Sequence, residues 1–75
     1  MDYTEILAFA KSRLGAEFNY VVQEIELRVR SGSTGSEIGS LVGGYLKILR
    51  DQSHPAYLTL KAELDFYLSQ FKFNR

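Results

Sequence analysis

Between residues 3 and 29 every third or fourth position is apolar: Tyr3, Leu7, Ala10, Leu14, Phe18, Val21, Ile25 and Val29. The mean step is about 3.7 residues, close to the period of an α-helix. Tyr3, Leu14 and Ile25 recur at elevenfold spacing, so the stripe runs nearly straight along a helix axis. Asp2 precedes it as an N-cap, with Glu5 in the capping-box position. Gly15 lies off the stripe and costs about 1 kcal/mol relative to alanine, which weakens the helix without ending it. The spacing predicts one helix over residues 3–29.

A rival pattern sits inside this stretch. Residues 24–30, Glu-Ile-Glu-Leu-Arg-Val-Arg, alternate strictly, as a half-buried strand does. The charges decide between the two. Glu24 precedes Arg28 by four and Glu26 precedes Arg30 by four, the favourable order for helical ion pairs.

Residues 31–36, Ser-Gly-Ser-Thr-Gly-Ser, read as a connector. Thr34 and Glu37 have capping-box spacing and open a second helix, over residues 36–51, with Ile38, Leu41, Val42, Tyr45, Ile48 and Leu49 as its apolar face. Ser53 is placed to cap a third helix, over residues 54–71, with Pro55 in its first turn. Its stripe is Tyr57, Leu60, Leu64, Tyr67, Leu68 and Phe71. The fold expected is all-α, a single domain built from one long helix and a helical hairpin. Were residues 24–30 and 57–68 strands instead, the chain would be a small α+β protein with a β-α-β unit.

A chain of 75 residues buries only about 60% of its unfolded surface, so it needs support beyond one small core. It has no cysteine for disulfides, and its single histidine cannot build a zinc site. Efficient helix packing or oligomerisation remains. Nine basic residues balance nine acidic ones, so no net field draws the chain to nucleic acid or anionic lipid. No apolar run reaches the roughly 18 residues of a membrane span, and the first residues are acidic where a signal peptide is basic. The expected location is the cytoplasm.

Little points to catalysis, and no enzyme is expected. His54 stands beside Pro55 at a helix start, with no serine elbow, cysteine or ordered carboxylate to work with it. Glu24 and Glu26, like Glu63 and Asp65, are two apart and so diverge on a helix. No metal or cofactor is expected, because hard-cation sites need several oxygens converging from one loop. The Ser/Gly connector lacks the lysine of a phosphate-binding loop.

The second helix carries an unusual row of small residues: Gly35, Gly39 and Gly43, with Ser36, Ser40 and Gly44 beside it. Projected at helical spacing, the row lies opposite Ile38, Leu41 and Tyr45. Mid-helix glycines are destabilising, so the row marks either a close-packing face or a frayed start with the helix proper beginning near Leu41.

Both outer helices show surplus apolar positions. Phe9, Ala16, Tyr20 and Leu27 lie opposite the first stripe, and Leu58, Ala62 and Phe66 repeat every four residues on the third helix. A helix apolar on two sides is usually buried on both. A 27-residue helix is also about 40 Å long, so part of it must be exposed, bent near Gly15 or covered by another chain. These features predict a homodimer with Phe9, Tyr20, Leu27, Leu58, Ala62 and Phe66 at its interface. The function expected is a small protein–protein interaction module: an adaptor, inhibitor or regulatory subunit. The alternative is a nucleic-acid-associated regulator, with Arg28, Arg30, Lys47 and Arg50 converging on phosphates.

Overall fold

A computed structural model of the chain describes residues 1–70. Among the described residues the fold is all-helical: α1 (Tyr3–Arg13), a 3₁₀ turn (Ala16–Phe18), α2 (Asn19–Ser31), α3 (Gly35–Asp51), α4 (Pro55–Thr59) and α5 (Lys61–Ser69). No strand forms at residues 24–30 or 57–68, so the β-α-β alternative has no support. Phe71, expected to end the last stripe, lies outside the described residues.

The expected helix over residues 3–29 is two helices. Asp2 caps α1 as the sequence implies: its carboxylate accepts from the Thr4 and Glu5 backbone N–H groups, and Glu5 accepts from the Asp2 N–H. The helix then stops at Arg13, with Leu14 (ψ 137°) and Gly15 (ψ 174°) extended. A straight rod of about 40 Å would overrun a molecule only 29 Å in its longest dimension. Breaking at the weakest helix former lets Ile6 and Ala10 of α1 and Val21 and Ile25 of α2 enter one core. The stripe survives the break, since all eight of its residues are buried or half-buried.

The connector is shorter than expected, because Ser31 ends α2 and Gly35 begins α3. The Thr34 hydroxyl accepts from the Glu37 N–H at 3.1 Å, so the predicted cap forms. A Cβ at Gly32 would stand 2.5 Å from Ile38 Cγ1 and 2.9 Å from the Ile38 backbone nitrogen. The tight α2–α3 corner therefore requires glycine there.

At the far end of α3, Ser53 does not cap the next helix. It adopts φ 50°, and the Ser53 and His54 N–H groups close back on the Arg50 and Leu49 carbonyls, each at 3.0 Å. This is the left-handed C-terminal stop of a Schellman motif. The capping task passes to His54, whose Nδ1 accepts the Ala56 N–H at 3.0 Å.

The third expected helix is also divided. The chain bends at Leu60 (φ −110°, ψ 21°), where the Thr59 hydroxyl bonds back to the Pro55 carbonyl at 3.1 Å. Such back-bonding bends helices. The bend keeps Tyr57, Leu60, Leu64, Tyr67 and Leu68 in the core, the inward set the spacing implies.

Central in the molecule is α3, which packs against α1, α2, α4 and α5. Neighbours on several sides bury a wider arc than one apolar stripe. Gly39, Val42, Gly43, Leu46 and Leu49 face inward, while Ile48, expected in the core, is 47% exposed.

Candidate protein-interaction surface

The glycine row faces the interior in part, against the expectation that it lies opposite the packing side. Gly39 and Gly43 are buried, Gly44 is half-buried beside Arg28, and Gly35 and Ser40 remain exposed. The helix is regular from Gly35 onward, so its start is not frayed. At Gly39, which is buried, α5 reaches the α3 backbone: the Tyr67 hydroxyl donates to the Gly39 carbonyl at 2.9 Å. Burial pushes the Tyr67 hydroxyl pKa up to about 12. Gly35, Ser36, Gly39 and Ser40 also line a surface groove with Tyr3 and Gln70.

Three of the four basic residues have carboxylate partners among the described residues. Because α2 and α3 form a hairpin, Arg28 lies beside Leu41, donating to its carbonyl at 3.0 Å. A Cβ at Gly44, one helical turn before Lys47 on α3, would stand 3.9 Å from Arg28 Nη1. Arg28 also binds Glu24 at 2.8 Å and lies 5.2 Å from the Tyr45 ring centre. Burial, with the nearby Glu24 carboxylate, raises the Tyr45 pKa. Lys47 and Arg50 both meet Asp51, at 3.0 and 3.5 Å, and hold its carboxyl below the usual range. Arg30 is exposed at the end of α2. Glu26, expected to pair with Arg30, instead binds Lys11 of α1 at 3.0 Å.

His54 has a structural setting. Its Nε2 lies 2.8 Å from the Tyr20 hydroxyl, and its ring meets Phe18 and Tyr20 edge-on at 5.7 and 5.9 Å. With Nδ1 accepting from Ala56, neutral His54 carries its proton on Nε2 and donates it to Tyr20. This cluster ties the start of α2 to the start of α4. Among the described residues no three His, Asp or Glu side chains group as metal ligands would.

The expected interface residues are spread over α1, the 3₁₀ turn, α2, α4 and α5. Tyr20 and Leu27 are 53% and 55% exposed along the outer strip of α2. Leu58 and Phe66 are 59% and 58% exposed on α4 and α5, with Ala62 exposed between them. The inner faces of α2 and α5 both turn to the common core, and α3 and α1 pack against each of them. Phe9 is half-buried against the core and lies with Glu5, Ala8 and Ser12 in a shallow depression on α1. Ala16 is exposed in the 3₁₀ turn.

Sequence reasoning found the apolar members of the α2 strip but passed over its polar rim, Gln23, Glu24, Glu26 and Arg30, which line the same surface. The signal was present in the acid-before-base order along the helix. Comparison with protein-family models, curated proteins and solved structures gives no match for the chain. Fold and surface together define a small helical protein with large apolar side chains exposed on α2, α4 and α5. Among the described residues no helix is long and apolar enough to cross a membrane.

Proposed function

We propose that this protein is a small non-enzymatic interaction module, an adaptor, inhibitor or regulatory subunit that works by binding other proteins in the cytoplasm, with self-association as part of its action. One observation carries the reading: four large apolar side chains, Tyr20, Leu27, Leu58 and Phe66, stay more than half exposed on a chain with a fully formed core. Such residues scattered singly need no explanation, but Tyr20 and Leu27 line one surface of α2, and Leu58 and Phe66 stand on either side of the bend between α4 and α5. Tyrosine and phenylalanine are also types enriched at the centres of protein interfaces. The absence of cysteine suits a reducing compartment.

The test is affinity capture from native cell extract with wild type and Phe66→Glu in parallel, each checked for helicity by circular dichroism. The expected result is a protein retained by wild type and lost with Phe66→Glu. Retention of the same proteins by Phe66→Glu and Leu27→Glu alike would overturn the reading. Binding to DNA or RNA with a steep salt dependence would favour the nucleic-acid alternative.

A further inference from the structure

We infer that the break between α1 and α2 is a hinge, and that the chain exchanges α1 with a second copy of itself when residues 14–18 straighten into helix. This rests on the reading of the molecule as a module that self-associates, and it supplies the means.

The break lacks the marks of a true helix end. The starts of α1, α3 and α4 each have a side chain that accepts a first-turn N–H, from Asp2, Thr34 and His54. Gly15 and Phe18, which precede the 3₁₀ turn and α2, offer no such cap. No proline stands between residues 3 and 29. The apolar stripe keeps helical phase across the gap, from Leu14 to Phe18 and on to Val21, and its residues are buried or half-buried on both sides. A loop that merely joined two independent helices has no reason to hold that phase. In a straight helix the N–H groups of residues 15–18 would find the carbonyls of residues 11–14, which now end α1.

The core opposes straightening within one chain. Ile6 and Ala10 of α1 are fully buried, and α1 packs on α2, α3 and α5. A straight rod of about 40 Å carries them off their own chain, which measures 29 Å at most. A second copy restores the lost contacts, because its core accepts the first α1 while giving up its own. Lys11 then meets Glu26, and Arg13 meets Glu63, across the pair; within one chain these contacts hold α1 at 3.0 and 2.6 Å. Exchange of an identical element is a low-cost route to a dimer, since it reuses contacts the monomer already makes. The added cost falls on Gly15, the poorest helix former of the hinge, so the monomer dominates at low concentration.

Position 15 tests this in two directions. Proline suits the bent form, where Gly15 has φ −76° and Leu14 before it is extended, but breaks a helix. In sedimentation equilibrium up to about 1 mM, Gly15→Ala should tighten the dimer about tenfold relative to wild type. Gly15→Pro should be monomeric throughout, with the helicity of wild type by circular dichroism. A second measurement detects the exchange itself. Arg13→Glu and Glu63→Arg, each alone, set like charges together within the chain and within its own exchanged dimer. Refolded as a mixture, the two should form a heterodimer about tenfold tighter than either homodimer, because position 13 of each chain then meets position 63 of the other. A dimer formed without exchange leaves both clashes inside the chains, so a mixture no tighter than its parts overturns the inference. Equal dimerisation by Gly15→Ala and Gly15→Pro overturns the hinge. Monomers in wild type and Gly15→Ala at every concentration overturn both, yet leave the interaction reading to the capture experiment.

Discussion

Tyr67 is buried with its hydroxyl committed to the Gly39 carbonyl, and its proton is held until about pH 12. In the unfolded chain the same hydroxyl ionises near pH 10. Its contribution is therefore complete below pH 10 and is lost as the pH climbs toward 12, a fall of about 2 to 3 kcal/mol. Denaturant titrations between pH 9 and about pH 12 should show that decline, and Tyr67→Phe should flatten it at a cost of about 1 to 2 kcal/mol near neutrality. Ser53 holds a left-handed conformation that favours glycine, so Ser53→Gly should raise stability by about 0.5 to 1 kcal/mol in a thermal melt. His54→Ala removes a helix cap and two ring contacts, and should cost about 1 to 2 kcal/mol. The sequence marks His54 as a turn residue; its partners Tyr20 and Phe18 lie more than thirty positions away and have no local signature.

Among the elements, helix identity was legible and helix continuity was not. Periodicity records which side of a segment is buried, and the buried residues of α2 and α5 lie on the predicted stripes, whereas fully buried Ile6 of α1 and Ala56 of α4 were not on them. A break that preserves the phase of the stripe, as at Leu14 and Gly15 or at Leu60, leaves little trace in that pattern. Those breaks answer to the size of the core, which is a property of the whole chain. The buried arc of α3 was misjudged for the same reason: Gly39, Gly43 and Leu46 turn inward because helices cover α3 from several directions. The charge pairs divide likewise. Glu24 with Arg28 forms within one helix, as four-residue spacing implies, but Lys11 of α1 takes Glu26. At the α2–α3 corner, Gly32→Ala places a Cβ against Ile38 side chain and backbone and should cost about 1 to 3 kcal/mol by chemical denaturation. Gly35→Ala is its control, because a Cβ there meets open space, and it should be neutral or stabilising.

For the molecule as a whole, core and surface should respond differently to the same introduced charge. Leu64 is fully buried, so Leu64→Glu should abolish the helical circular dichroism signal, whereas exposed Phe66→Glu should retain it. The tight corner between α2 and α3 has a further consequence, for the order of events in folding. Gly32, Ser33 and Thr34 alone separate the two helices, so their pairing closes a very small loop. The α1–α5 pair, by contrast, must join Arg13 to Glu63, fifty positions apart, across a 2.6 Å ion pair. Closing the short loop first costs the least chain entropy and prepares a surface for the distant ends. Substitutions at Gly32 should therefore slow folding in stopped-flow measurements, while Glu63→Gln should leave the folding rate nearly unchanged and speed unfolding. A chain assembled in that sequence opens from its ends inward, and amide exchange should be fastest in α1 and α5 and slowest where α2 meets α3.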